Sequence, residues 1–368
     1  MRMFGRFTEV DSPNEHCCSD LSRRDLLLAG AGLGALMGAT AFPNIVIGAD
    51  TRFKIPIAQT ANSLFYLSLY TAIDQGLFKA EGVEIDLITA GGSVEAVNAV
   101  VARQAACSTQ DPARCEAARQ RGAPTKIIGS SINKFATYIV GNKSIAPQDL
   151  QAWKGRKMAA IQRPNTAHSA IEWVLLKAGW KQERTNVWVP PDGGAPLQVT
   201  EIKQGNEFQA LLAGAVDMAT GYEPAASDAI ARNSDLHMIW SFPKSFGDFL
   251  YGGWCALDDD IKNKPEMLQS FMNGIAHSYK FIRERPQDAI ASGKKWFPSL
   301  APSAIESAFL RFMEENVYPP RATITEQAFN ANFKEFLPFV NYPLNPTTLQ
   351  EATFLDFANK ADAKFGLV

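Results

Sequence analysis

Residues 73–88, IDQGLFKAEGVEIDLI, change hydrophobic period partway along, and the change sets the architecture of the chain. They close a segment, Leu64 to Lys79, whose apolar residues Leu64, Leu67, Leu69, Ile73, Leu77 and Phe78 recur at helical spacing. A few residues later Val83-Glu84-Ile85-Asp86-Leu87-Ile88 alternates apolar and polar as a half-buried strand does. Upstream, Phe53 to Ala58 reads as an earlier strand feeding the helix. A strand, a helix and a second strand in succession form the repeating unit of a parallel sheet.

Downstream the unit repeats. Gly91-Gly92-Ser93 makes a tight turn into a short helix from Val94 to Ala102, followed by a strand near Ala105 to Ser108. The helix Pro112 to Arg121 and the strand Lys126 to Gly129 complete a first α/β unit. After Gly155 the rhythm restarts. Strands are expected at Lys157–Ile161, Asn186–Val189, Val216–Thr220 and Leu236–Phe242, with a further one near Val199–Ile202. Helices are expected at Thr166–Ala178 and Phe208–Ala213, and the run Pro190 to Pro196 is too rich in proline and glycine for either state. From Pro265 onward the pattern is helical, with candidates at Met267–Ile282, Pro286–Trp296, Ser303–Glu314 and Thr325–Phe336. Such helices need a sheet face to cover. The economical arrangement returns the chain near Tyr251 to Ala256 and lays them on the first unit.

Ser22 to Gly38, SRRDLLLAGAGLGALMG, admits three readings. A dinucleotide-binding loop requires a preceding strand and a later acidic residue inside a βαβ unit, whereas these glycines follow two arginines and an aspartate and their flanks contain no strand pattern. A membrane anchor requires about 18 uninterrupted apolar residues, and this run is diluted by glycine and ends at Pro43. A charged start, a weakly apolar middle and small residues near Ala39-Thr40-Ala41 or Ile47-Gly48-Ala49 describe a cleaved export signal. Ser22-Arg23-Arg24-Asp25-Leu26-Leu27 resembles the twin-arginine consensus, which carries folded cargo across a bacterial membrane. The expected organisation is an export signal over 1–49, a first lobe begun by 50–143, a second lobe over 144–242, and a return with covering helices over 243–368.

The 368 residues carry 36 basic and 38 acidic side chains, a balance that gives no electrostatic case for nucleic acid or anionic lipid. Apolar residues at 46% and charges at 20% describe an ordinary globular chain. Cys17 and Cys18 lie ahead of the expected cut. Of Cys107, Cys115 and Cys255, two are free to pair in an oxidising compartment, or all three pack as small apolar side chains. No metal site, cofactor or lipid anchor is expected.

Several stretches together resemble the periplasmic substrate-binding proteins of ABC importers for nitrate, sulfonates, taurine and thiamine-precursor pyrimidines. Ile73-Asp74-Gln75-Gly76-Leu77-Phe78-Lys79-Ala80-Glu81-Gly82-Val83-Glu84-Ile85 is similar to the family segment A-x-x-x-G-x-F-x-x-E-G-[LV]-x-[VI], with Gly91-Gly92-Ser93 just after it. Ala210-Leu211-Leu212-Ala213-Gly214-Ala215-Val216-Asp217-Met218 is similar to A-L-x-x-G-x-[VI]-D-A, and Glu223-Pro224 ends the next strand. The resemblance implies a two-lobed clamshell of the type II periplasmic-binding-protein class, α/β throughout, each lobe a mainly parallel sheet flanked by helices. It implies a monomer in the periplasm that binds a small sulfonate, nitrate or taurine-like solute, or alternatively an aminopyrimidine or aromatic solute, and hands it to permease subunits after export by the twin-arginine translocase. The related pyrimidine synthases carry a CCCFC segment that is absent here.

Parallel sheets bind ligands beyond the carboxyl ends of their strands, where helix N-termini offer free N–H groups. The strand ends therefore give the expected ligand-binding positions. In the first lobe these are Gln59, Thr60, Asn62, Gly92, Ser93, Thr109, Gln110 and Asn133, with Ser108 beside them. In the second they are Asn165, Thr166, His168, Tyr222 and Glu223, with Ala167 between. Asn165 and Ser93 also suit helix capping, His168 either donates to a ligand or packs, and Asp111 fits a helix start before Pro112. A carboxylate in the cleft, Glu223 above all, favours a solute bearing an amine or other donor. Phe65, Tyr66, Tyr222, Trp240 and Trp254 are candidates to stack a ring. No G-x-S-x-G or H-E-x-x-H motif is present, and no catalytic residue is expected.

Overall fold

The structure is a computed structural model that describes residues 51–163 and 165–367. The expected export signal and its arginine pair lie outside the described residues. Twelve described strands form two mixed sheets. β1 (Phe53–Gln59), β2 (Val83–Thr89), β3 (Cys107–Gln110), β4 (Thr125–Ile132) and β12 (Gly252–Leu257) form a five-stranded sheet in the order β2-β1-β3-β12-β4. β2, β1 and β3 run parallel, whereas the returning β12 inserts antiparallel to both β3 and β4.

The second sheet holds β5 (Tyr138–Asn142), β6 (Lys157–Ile161), β7 (Lys181–Arg184), β8 (Val187–Val189), β9 (Leu197–Ile202), β10 (Met218–Gly221) and β11 (Leu236–Ser241) in the order β11-β5-β10-β6-β9-β8-β7. Only β10-β6 and β6-β9 are parallel here, so this sheet is more mixed than the sequence rhythm implies. The departures come from β5, which pairs antiparallel to both β10 and β11, and from the β7–β8 hairpin on β9.

Helices α1 (Leu67–Asp74), α2 (Leu77–Ala80), α3 (Ser93–Val101) and α4 (Pro112–Gln120) connect strands of the first sheet. The expected single helix from Leu64 to Lys79 is interrupted at Gly76, whose φ of 69° is left-handed backbone that glycine adopts at little cost. α5 (Thr166–Lys177), α6 (Glu207–Leu212), α7 (Ala225–Arg232) and α8 (Phe242–Phe246) accompany the second sheet. α9 (Asp258–Asn263), α10 (Pro265–Glu284), α11 (Pro286–Trp296) and α12 (Pro302–Glu314) follow β12. α10 covers the first sheet through α1, α2 and β2, burying Leu268, Phe271, Met272, Ile275 and Tyr279 along one face. α12 lies between the halves, packing on α11 and on α7.

The chain then makes α13 (Glu326–Asn330), a wide i→i+5 turn over Ala331–Phe336, and the short α14 (Leu337–Phe339). Phe333 and Leu337 of this segment join a core containing Ala113, Cys115 and Ile127 of the first sheet's side. Phe336 joins a core containing Phe135, Ile139 and Phe249 with the second sheet. One segment thus spans both cores. The Cys107, Cys115 and Cys255 thiols are free and buried, with the sulfurs of Cys115 and Cys255 2.7 Å apart. No helix among the described residues is long and apolar enough to cross a membrane.

Candidate functional site

A cavity of about 600 Å³ opens where the carboxyl ends of β1 and β3 meet the N-termini of α3, α4 and α5. Thr60 follows β1, Ser93 starts α3, Gln110 ends β3, and Asn165 with Thr166 starts α5; all five are expected positions, and all five line the cavity. Asn165 both caps and lines. Its Oδ1 accepts the Ala167 N–H at 2.8 Å, as a cap does, and also the Tyr222 hydroxyl at 3.3 Å.

Gln110 is only 2% exposed, yet neither its Nε2 nor its Oε1 makes a hydrogen bond, although the Cys255 thiol lies nearby. A buried amide without partners loses its hydration uncompensated, at roughly 1–3 kcal/mol. Tyr66 stands beside it, its hydroxyl 2.9 Å from Thr60 Oγ1 and its acidity suppressed by burial.

Asp111 Oδ1 accepts the Ala113 N–H at 3.0 Å and caps α4, and the same side chain faces the cavity. Desolvation by the walls pushes its carboxyl above the ordinary aspartate value of 3.8, even though the side chain is still 42% accessible from the cavity. Arg114, one turn along α4, is 4.0 Å away and sits 5.1 Å over the Tyr342 ring. Glu95 folds back over the first turn of α3, so close to Gly92 that a Cβ there would collide with its carboxylate. Two carboxylates against one guanidinium leave the lining without a net positive charge.

The remaining expected residues take other work. Gln59 spends its amide on the Tyr70 hydroxyl at 2.7 Å and on Thr89 Oγ1 at 3.1 Å. Thr109 points to the opposite face of β3 from Gln110 by strand alternation, and its hydroxyl donates to Ser131 at 2.7 Å. Asn133 is buried with its backbone bonded to Val317 and Phe249, its amide 3.4 Å from Asp248. Asn62 is exposed and does not line the cavity, and Gly92 serves the turn before Ser93. His168 is 1% exposed, its Nδ1 2.9 Å from the Ile161 carbonyl, and desolvation lowers its pKa so that it packs as a neutral ring. Tyr222 supports Asn165 and touches Phe65 edge-on at 6.2 Å rather than lining the cavity.

Glu223 does not line the cavity. It is 5% exposed, accepts both the N–H and hydroxyl of Ser227 at 3.0 Å, and pairs with Arg311 Nε of α12 at 2.8 Å. Of the aromatic candidates, Phe65 and Tyr66 line the cavity. Trp254 packs edge-on to Phe271 at 5.1 Å and Trp240 to Trp153 at 5.2 Å, both in cores.

Sequence reasoning missed Glu95, Arg114, Ser169, Tyr251 and the C-terminal wall of Phe336, Leu337, Val340 and Tyr342. Arg114 and Ser169 had a local signal, since each lies three positions past a residue on the same helix face, Asp111 and Thr166. The wall had none, being more than 200 residues from Gln110 in the chain.

Two α/β units thus meet at a cavity fed by strand ends and helix starts of the first sheet and by the start of α5 beside the second. Residues 66–289 match the family described as NMT1/THI5 like, and the chain belongs to that family. It is similar to the "Putative binding protein YtlA" of Bacillus subtilis (strain 168), 21% identical over 281 residues that cover 76% of this chain and 81% of that protein. The fold is shared with the periplasmic aliphatic sulphonate binding protein SsuA of Escherichia coli, at TM-score 0.61 and 14% identity, covering 82% of this chain and 97% of that one. It is shared also with the periplasmic nitrate-binding protein NrtA of Synechocystis PCC 6803, at TM-score 0.58 and 10% identity, covering 87% and 90%.

Proposed function

We propose that this chain captures a small solute between two lobes and delivers it to the permease subunits of an ABC importer. The observation that carries the reading is the cavity, to which Thr60, Ser93 and Gln110 contribute from the first sheet's side and Asn165, Thr166 and Ser169 from the second's. A solute touching both sides stabilises whichever state brings them closest, and that is how binding becomes lobe closure. The lobes in this reading are residues 50–143 with 243–368, and residues 144–242. The sulphonate and nitrate binders that share the fold support solute capture, and the start of α5 at Asn165-Thr166 is the place where a solute's polar head would meet free N–H groups.

In the same reading residues 1–49 are a twin-arginine leader, removed on export, and the chain works in the periplasm as a monomer without metal or cofactor. Replacing Arg23 and Arg24 by lysine should leave folded precursor in the cytoplasm, which fractionation would reveal; normal export would refute the leader. Binding rather than catalysis also suits the side chains at hand, since neither His168, His237 nor any described cysteine lines the cavity. A thermal-shift screen against sulfonates, nitrate, aromatic acids, aminopyrimidines and flavins tests the main reading. A hit should contract the protein in small-angle scattering, and Thr166→Ala should weaken it roughly fivefold, the scale of one hydrogen bond, without lowering the melting temperature. A screen with no hit and no contraction would overturn solute capture.

A further inference from the structure

We propose that Cys115 and Cys255 are a disulfide-forming pair. An external disulfide oxidises them, linking α4 covalently to β12 behind the cavity wall and leaving Cys107 a free thiol.

Strand alternation decides which thiols can meet. β12 runs antiparallel to β3, with Cys255 opposite Ser108 and Ala256 opposite Cys107. Neighbouring residues of a strand point to opposite faces, so Cys255 and Cys107 stand on different sides of the sheet. The cores agree: Cys107 shares one with Ile57, Trp254 and Ala256, whereas Cys115 and Cys255 share another with Ala113, Ile127 and Phe329. α4 covers this second face, its Pro112 3.5 Å from where a Cβ on Gly253 would stand. It brings the Cys115 sulfur to 2.7 Å from that of Cys255, so a bond calls for only a small further approach. Side chains that point apart cannot be bridged without moving backbone, which sets Cys107 aside.

The path of the chain gives the link its consequence. Cys115 and Cys255 are 140 residues apart, and all of 144–242 lies between them. A crosslink that closes a long loop restricts the unfolded chain more than one that closes a short loop. Here the loop is the whole excursion from the first sheet to the second and back. The bond also fixes α4, whose Asp111 and Arg114 line the cavity.

Chemically the step is thiol–disulfide exchange. The thiolate of one cysteine attacks the external disulfide, expelling one thiol and forming a mixed disulfide; the sulfur of the other cysteine then displaces the second thiol. The pair loses two electrons and two protons, and the external disulfide is reduced to two thiols. Both sulfurs are buried, so exchange proceeds through an opening of α4 or in a chain still folding.

Trypsin tests the pairing on the full chain, because it releases the three thiols in separate peptides, 104–114, 115–119 and 245–262. The protein is unfolded and refolded in a buffer of reduced and oxidised glutathione, and its remaining thiols are blocked before digestion. Mass spectrometry should find 115–119 joined to 245–262, with 104–114 carrying the blocking group, and a reductant should separate the joined pair. The oxidised chain should melt about 3–6 °C above its reduced form, and Cys107→Ala should preserve both results. Blocked thiols in both 115–119 and 245–262, or a link from either to another cysteine, would overturn the pairing. A joined chain that melts at or below the temperature of the reduced one would show that the native fold does not accommodate the bond, and would overturn it too. None of these outcomes depends on which solute the cavity holds.

Discussion

The ends of β3 and β10 are written alike. Gln110-Asp111-Pro112 and Tyr222-Glu223-Pro224 each place a polar side chain, a carboxylate and a proline between a strand and a helix. One carboxylate looks into an open cavity and the other is sealed. What separates them is α12, which arrives some 90 residues later in the chain and sets Arg311 over Glu223, while Asp111 has only Arg114 of its own helix at 4.0 Å. The motif places a charge at a strand end; the element packed above it decides whether that charge meets solvent or a counter-ion.

The largest effect should come from breaking the sealed end. Glu223→Ala would strand Arg311 and free the Ser227 groups, and denaturant unfolding should show a loss on the order of 3 kcal/mol, as for other buried pairs missing one partner. Arg311→Ala should act in the same direction. If Glu223→Ala instead left stability intact and removed solute binding, the contrast between the two ends would be lost.

A smaller effect is expected at the open end. Asp111→Asn keeps a capping side chain on α4, so it should cost well under about 1 kcal/mol. Its signature is in pH. Desolvation raises the Asp111 carboxyl above 3.8 in the folded chain, so the stability tied to its proton is complete below that value and falls as pH rises through the raised one. The asparagine variant should lack that fall. Superimposable stability curves for the two chains across pH 3 to 8 would show that Asp111 is as freely solvated folded as unfolded.

The alternation of strand and helix was readable because it is local. Pro286–Trp296 and Lys157–Ile161 stand where their periodicity puts them. β7 was not readable, since Lys-Gln-Glu-Arg over 181–184 is wholly exposed and carries no apolar mark; it is a strand only because β8 pairs with it. The site divides in the same way. Thr60, Gln110 and Thr166 follow from strand ends and helix starts, which the sequence announces. Whether Thr109 or Gln110 faces the cavity depends on a strand phase that the expected Ala105–Ser108 misses by two residues. That Glu223 is taken by Arg311, and that Tyr342 forms a wall, depends on long-range packing with no short-range signature.

The wide turn at Ala331–Phe336 is also a point at which the cavity can diverge. A turn closed from i to i+5 holds one residue more than an α-helix needs for the same advance, so it behaves as an insertion that the surrounding fold has absorbed. Successive residues of a helix are about 100° apart. Deleting a single residue within 331–336 and letting the turn relax to ordinary helix would rotate Leu337 and the residues after it by about that angle, carrying the apolar wall off the cavity without removing any of its side chains. Relatives that differ here by one residue in length would then differ in which side chains line the cavity.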